Sequence, residues 1–163
     1  MTFVAKTSLL ALSLIATAAS AQSVRVEKNM SLDLANQIAA ATVASCSASG
    51  YNVTAAVVDR AGSLRALQRA DNAGPHTVGA AQGKAYTSAS ARNTTAAMLE
   101  NVQKNPGAAT LVDIPGFLVL GGGVPVKVGN EVIGAVGVGG APGGHLDEQC
   151  ANAGIAKVAE LLK

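Results

Sequence analysis

Aromatic side chains are scarce in this chain, and their scarcity limits how a core can be built. The 163 residues include 2 Tyr, 2 Phe and no Trp, although 49% of them are hydrophobic. The hydrophobic side chains are therefore mostly small and aliphatic, and their number suffices for the core of one domain. The same scarcity disfavours a stacking platform for single-stranded nucleic acid.

The charged residues are few and scattered singly. There are 12 Lys and Arg against 10 Asp and Glu, which gives a formal net charge of +2. A protein that binds nucleic acid or an anionic membrane surface normally carries a basic run or patch, and this sequence contains no such run. We therefore expect neither partner.

The first 21 residues have the composition of a secretory signal peptide. Lys6 supplies one positive charge, an uncharged apolar run covers 8–19, and Ala19-Ser20-Ala21 provides a small-residue cleavage site. Because the apolar run is shorter than a membrane span, an uncleaved anchor is the less favoured alternative. We predict cleavage after Ala21 and a single domain over 22–163 that has no membrane span and is periplasmic or secreted.

The hydrophobic pattern of the remaining chain predicts the order α-β-β-α-α-β-β-β-α. The predicted helices cover 32–48, 75–91, 94–103 and 146–162, and the predicted strands cover 53–58, 64–69, 117–120, 124–128 and 132–138. Short turns join consecutive strands at 59–62 and at Gly129-Asn130, which is typical of hairpins. We expect an α+β fold, a mainly antiparallel five-stranded sheet with helices packed on it, rather than a doubly wound nucleotide-binding fold.

The two cysteines lie on the apolar sides of the first and last predicted helices. Cys46 and Cys150 would both point inward, in a chain routed to an oxidising compartment. A Cys46–Cys150 disulfide is predicted, and two buried free thiols are the alternative.

One face of the second predicted helix carries a histidine and small side chains. His76 is followed on that face by Gly79, Ala80, Gly83 and Thr87. A flat face of this kind either lets another backbone approach closely or receives a planar ligand. Both interpretations stay open from the residues alone, and His76 is the candidate single ligand for a metal at the edge of the face.

The other candidate chemical groups are weaker. His145 opens the last helix and is either a ligand or an exposed turn residue, and the two histidines have no partners at zinc-site spacing. Lys84 and Asp113 are candidate general bases, but solvated helix and loop charges are the favoured interpretation. No G-x-S-x-G elbow occurs, so no catalytic residue is assigned.

The glycines of the C-terminal half do not form a phosphate-binding loop. In the run from Gly137 to Pro142, a proline stands where the G-x-G-x-x-G motif needs its third glycine. We predict instead that the glycines within 132–138 mark a bulge or the close approach of a helix.

Five motifs and a closing acidic pair resemble the haem-binding GlcG–HbpS family, whose members are also called haem-degrading domain proteins. The resemblance covers the chain from about Leu32 to its C-terminus. The segments are Val57-Val58-Asp59, Arg69-Ala70-Asp71-Asn72-Ala73, Lys84-Ala85-Tyr86-Thr87, Gly121-Gly122-Gly123-Val124-Pro125, Ile133-Gly134-Ala135-Val136-Gly137-Val138 and Asp147-Glu148.

This resemblance implies a profilin-like domain that forms homo-oligomers and binds haem. One departure is Gly139, which stands where the family usually has a serine, so a hydroxyl near the expected pocket is missing. The haem ligand varies within the family, so His76, and after it His145, are chosen as axial-ligand candidates from the residues alone. Arg69 and Lys84 are the candidate partners of the haem propionates, in an aliphatic site that is shallow or lies between subunits.

The export signal together with this resemblance predicts an exported haem or tetrapyrrole-binding protein, and the resemblance implies a role in haem sensing, carriage or degradation. Two alternatives stay open. One is an enzyme or accessory protein acting on a small 2-hydroxy acid such as glycolate, suggested by the operon association of the family. The other is a non-catalytic oligomeric scaffold that uses the flat helix face as its interface.

Overall fold

Four antiparallel strands form the centre of the protein. The computed structural model describes residues 24–163, so the predicted signal peptide lies outside the described residues. The strands are β1 (Thr54–Asp59), β2 (Leu64–Arg69), β3 (Gly123–Val128) and β4 (Glu131–Gly139). They are arranged in the order β2-β1-β4-β3, and every neighbouring pair is antiparallel. The predicted α+β class and antiparallel sheet are confirmed.

In the described part of the chain, four α-helices surround the sheet. They are α1 (Leu32–Ala48), α2 (His76–Ala91), α3 (Thr95–Lys104) and α4 (Gly144–Lys157), and short 3-10 helices cover Pro106–Asp113 and Ala159–Leu162. Ser31 begins α1, because its side-chain oxygen accepts a hydrogen bond from the Leu34 amide at 3.2 Å. Within residues 24–163, no helix combines the length and the hydropathy needed to cross a bilayer.

The prediction of a fifth strand at 117–120 is wrong. The Leu118 amide donates to the Thr87 hydroxyl at 2.7 Å, and the Leu120 amide donates to the Leu118 carbonyl at 2.9 Å. These backbone donors are thus used by an α2 side chain and by a local turn rather than by a neighbouring strand. The segment packs along α2 instead of joining the sheet.

The sheet is covered on both faces, and the two faces differ in side-chain size. All six residues of β1 are buried. Val57 packs with the larger core formed by α1 and α4, whereas Ala56 and Val58 pack with the alanines of α2. The α2 layer is therefore built from small side chains, as the composition requires.

Gly137 of β4 shows how closely α2 approaches the sheet. A Cβ atom at this position would collide with the Ala81 carbonyl and the Ala85 amide of α2. The prediction that a glycine in this strand marks a close helix approach is confirmed.

The predicted disulfide is present between Cys46 of α1 and Cys150 of α4. Their Cα atoms are 5.3 Å apart, and the bond closes a loop with a sequence separation of 104. Closing a loop of this length stabilises the fold by at most about 4–5 kcal/mol in the chain-entropy treatment. The bond ties together the two helices that cover the same face of the sheet.

Candidate ligand-binding groove

A groove lies between α2 and the segment 116–118. Its volume is about 670 Å³, within the range of about 300–1,000 Å³ that is usual for small-molecule sites. None of its ten lining residues is charged, and most are apolar or glycine. The lining of this α2 groove consists of Val58, Gly62, Leu64, Gly79, Gln82, Gly83, Tyr86, Gly116, Phe117 and Leu118.

Two glycines of α2, one helical turn apart, shape the floor of the groove. A Cβ atom at Gly79 would meet no atom within 4 Å, so this position opens into the groove. A Cβ atom at Gly83 would lie 3.0 Å from the Leu118 Cβ, so the missing side chain lets the 116–118 segment approach the helix. The first glycine leaves space for a ligand, and the second lets the groove wall close on the helix.

Tyr86 stands at one end of the groove, and sequence analysis did not select it. Its ring fits between two glycines, because a Cβ atom at Gly62 would lie 2.7 Å from one ring edge and one at Gly116 would lie 3.2 Å from the other. The ring also makes an edge-to-face contact with Phe117, with centroids 6.1 Å apart. Tyr86 is 37% exposed, and its hydroxyl forms no hydrogen bond with residues 24–163. The groove lining thus includes a phenol side chain that is partly open to solvent.

The groove contains two of the residues predicted from the flat helix face, Gly79 and Gly83, but not the histidine. His76 lies one turn before Gly79 and borders a separate hollow of about 330 Å³, beside Tyr51 and Pro142. The structure therefore separates the predicted iron ligand from the predicted ligand surface by about one turn of α2.

The other two members of that face serve the packing of α2. Thr87 is fully buried, and its hydroxyl accepts the Leu118 amide, which fixes the wall of the groove. Ala80 faces β4, because a Cβ atom at Gly139 would lie 3.2 Å from the Ala80 Cβ. A serine at Gly139, as the family usually has, would press on this turn of α2 rather than point into the α2 groove.

Arg69 does not line the α2 groove. Its Nε donates to the Ala73 carbonyl at 3.0 Å, and its Nη2 donates to the same oxygen. The guanidinium thus closes the turn that follows β2.

The interpretation of Lys84 as a solvated helix charge is wrong. Its side chain is 2% exposed, and its Nζ donates to Asp147 Oδ2 at 2.7 Å and to the Val138 carbonyl at 2.8 Å. Asp147 Oδ1 accepts the Ala141 amide at 3.0 Å. Burial raises the pKa of Asp147, and the ammonium of Lys84 opposes this effect. This buried pair connects α2, β4 and the start of α4, and it leaves no free ammonium for a propionate.

His145 lies in a second groove, between α3 and α4, with a volume of about 450 Å³. The histidine is exposed, and Glu148 in the same lining has one buried carboxylate oxygen, Oε2, that forms no hydrogen bond. Burial raises the pKa of Glu148. Asp113, at the end of a 3-10 helix, is exposed and lines neither groove.

An antiparallel sheet between two helical layers, with an uncharged groove on the α2 side, defines the class of the protein as an α+β domain. The chain belongs to the HbpS-like family, because the family model described as haem degrading protein HbpS-like matches residues 30–156.

Similar proteins agree with this assignment. The chain is 38% identical to Protein GlcG of Escherichia coli strain K12 over 109 residues, which cover 67% of this chain and 80% of GlcG. A double mutant of Streptomyces reticuli HbpS superposes with a TM-score of 0.79 at 34% identity, covering 95% of this chain and 99% of that one. The PduOC:heme complex has a TM-score of 0.70 at 23% identity, covering 78% and 94%, and it supports the fold.

Proposed function

We propose that the α2 groove binds haem and that the chain is an exported haem-binding protein. The uncharged lining of the α2 groove is the observation that carries this proposal. Two similarities support it. The family is described by its relation to haem, and PduOC, which has the same fold, is complexed with heme.

The residues of the groove fit a porphyrin. Haem is a large apolar plate, and its sites are mainly hydrophobic with a few polar groups. Leu64, Phe117 and Leu118 provide apolar contacts, and the absent side chain at Gly79 leaves a flat surface. Tyr86 and Phe117 are two of the chain's four aromatic residues, so the few aromatics are concentrated at this groove.

For haem in the α2 groove, two residues are candidate ligands of the iron that the bound group would supply. His76 lies one turn outside the groove, whereas Tyr86 is one of its lining residues. Tyr86→Phe keeps the ring between its two glycines and removes only the oxygen. An altered spectrum of the haem complex in Tyr86→Phe alone identifies the phenol as ligand, and an altered spectrum in His76→Ala alone identifies the imidazole. His145→Ala is the corresponding test of the α3–α4 groove.

Hemin titration by visible absorption tests the site itself. Gly79→Leu places a large side chain in the groove, and no atom lies within 4 Å of the new Cβ, so the fold has room for it. Replacing a helical glycine also stabilises the helix, by about 0.5–1 kcal/mol. We expect a variant that is at least as stable as the wild type and binds hemin at least tenfold more weakly.

Ala97→Leu is the matched control, because Ala97 is an exposed position of α3 outside the linings of both grooves. It should bind hemin like the wild type. Absence of a sharpened Soret band in the wild type, or equal affinity in Gly79→Leu, would rule out the proposed site.

Export and self-association complete the proposal. Support for an oxidising compartment comes from the Cys46–Cys150 disulfide, and support for self-association comes from exposed apolar side chains such as Leu64, Val112 and Ile114. N-terminal sequencing of the exported protein should give Gln22 as its first residue. Light scattering after gel filtration should give a mass larger than one subunit, and a monomer would contradict the proposed oligomer.

A further inference from the structure

A small polar hollow adjoins the α2 groove at its Tyr86 end. Its volume is about 240 Å³, and its lining includes Arg60, Ser90 and Arg92. Gly62 and Tyr86 belong to the linings of both cavities, so one ring and one turn separate an uncharged groove from a basic hollow. We call this second cavity the arginine hollow.

Arg60 is held in place by its neighbours. Its Nε lies 3.4 Å from Glu27 Oε1, its Nη1 donates to the Lys28 carbonyl at 3.0 Å, and the same Nη1 lies 3.9 Å from Glu131 Oε2. Its side chain is 15% exposed. Arg60 therefore contributes a positioned charge, part of which two carboxylates neutralise.

Arg92 is a second cation of the arginine hollow. It follows the last residue of α2 in the left-handed conformation, with φ of 54°, and it is exposed. It forms no ion pair within residues 24–163. A further hollow lies next to the arginine hollow, and its lining includes Arg92 and Arg60 together with Arg25 and Lys127. The two hollows together contain four cations, and the carboxylates of Glu27, Asp59 and Glu131 lie beside them, so the region keeps a small excess of positive charge.

We propose that the arginine hollow binds the carboxylates of the molecule whose apolar plate lies in the α2 groove, with Arg92 as the main contact and Arg60 as the second. This inference rests on the proposed function and deepens it, because it identifies the ligand class as an amphipathic dicarboxylate of the porphyrin type. A guanidinium forms paired, charge-assisted hydrogen bonds with a carboxylate, which an apolar groove alone cannot offer. Lys84 and Arg69, the partners expected from the sequence, are engaged in internal contacts.

Two ligands and four proteins test this proposal. Hemin carries two free propionates, whereas hemin dimethyl ester has the same plate with both carboxylates blocked. Each ligand is titrated into the wild type, Arg92→Gln, Arg92→Lys and Arg65→Gln. Arg65 is an exposed arginine of β2 that lines neither cavity, so Arg65→Gln is the matched control for the lost charge. Circular dichroism confirms that each variant is folded.

The expected result is a loss of hemin affinity in Arg92→Gln and wild-type affinity in Arg65→Gln. One charge-assisted contact corresponds to about a five- to tenfold weaker dissociation constant. Arg92→Lys should recover part of this loss, and all four proteins should bind the dimethyl ester equally. Equal hemin affinity in Arg92→Gln and the wild type would overturn the proposal, and so would an equal loss for both ligands. Failure of the wild type to bind either ligand would instead overturn the proposed function.

Discussion

Replacing Lys84 by methionine removes the ammonium that pairs with Asp147 inside the protein. The variant leaves Asp147 Oδ2 and the Val138 carbonyl without their donor, at a position where the side chains are 2% and 4% exposed. Removing one partner of a buried ion pair costs about 3–5 kcal/mol, because the other charge stays desolvated. Since single domains are stable by about 5–15 kcal/mol, this loss takes a large fraction of the total.

Urea denaturation under non-reducing conditions measures the effect. With a slope of about 1–3 kcal/mol per molar urea, the expected loss lowers the unfolding midpoint by at least about 1 M. Lys104→Met is the matched control, because it breaks an exposed pair with Glu100 at 3.2 Å and should cost under about 0.5 kcal/mol.

A double-mutant cycle separates the pair from its surroundings. Asp147→Asn keeps an oxygen for the Ala141 amide while it removes the charge. The double variant Lys84→Met/Asp147→Asn should be more stable than the sum of the single losses predicts, by about 1–3 kcal/mol. Additive losses, or a Lys84→Met variant within about 1 kcal/mol of the wild type, would refute the reasoning that the pair is desolvated and coupled.

Three further predictions concern the packing, the disulfide and a buried acid. Gly137→Ala should destabilise the protein by about 1–3 kcal/mol in urea denaturation, because the new methyl collides with the Ala81 carbonyl; a loss under about 0.5 kcal/mol would contradict the close packing of α2. Replacing Cys46 and Cys150 together by serine should cost about 2–5 kcal/mol, and an unchanged thermal midpoint would show that the disulfide does not stabilise the fold. Burial raises the pKa of Glu148 above its unfolded value of about 4.3, so the protonated carboxyl favours the folded state. This contribution to the free energy of unfolding is lost as the pH rises from the unfolded pKa through the raised folded pKa. Glu148→Gln should therefore flatten thermal stability against pH in that window and be more stable at pH 7, whereas lower stability at pH 7 would show that the carboxylate has a partner.

Local patterns predicted the parts of the fold that depend on neighbouring residues. Ser31 before an apolar-periodic run predicted the start of α1, and the structure places that start at Leu32. The apolar positions of Cys46 and Cys150 predicted their pairing across two helices. Gly129 and the residue after it predicted the turn between β3 and β4. Each signal lies within one element or at its end.

Contacts between distant residues could not be predicted in this way. Lys84 has the pattern of a helix surface charge because its partner Asp147 is 63 residues away. The segment 117–120 has the composition of a strand, but the Thr87 hydroxyl that binds its backbone is 31 residues upstream of Leu118. The residues of 117–120 alone therefore cannot show that the Leu118 amide donates to a helix side chain instead of a neighbouring strand.

For the same reason, the sequence predicted the glycines of the candidate site but not its tyrosine. Gly79 and Gly83 share a helical face, so their spacing indicated a flat surface. Tyr86 follows Gly83 by about one helical turn, and its role depends on Gly62 and Gly116, which lie on other segments. Only the fold brings these three residues together.

The position of iron in a hemin complex tests the central claim most directly. A crystal of the wild type with hemin, measured at the iron absorption edge, gives the iron position from its anomalous signal without assumptions about the protein contacts. The account predicts one strong peak inside the α2 groove, beside Gly79 and Phe117. A peak in the α3–α4 groove beside His145, or none in the α2 groove, would contradict it.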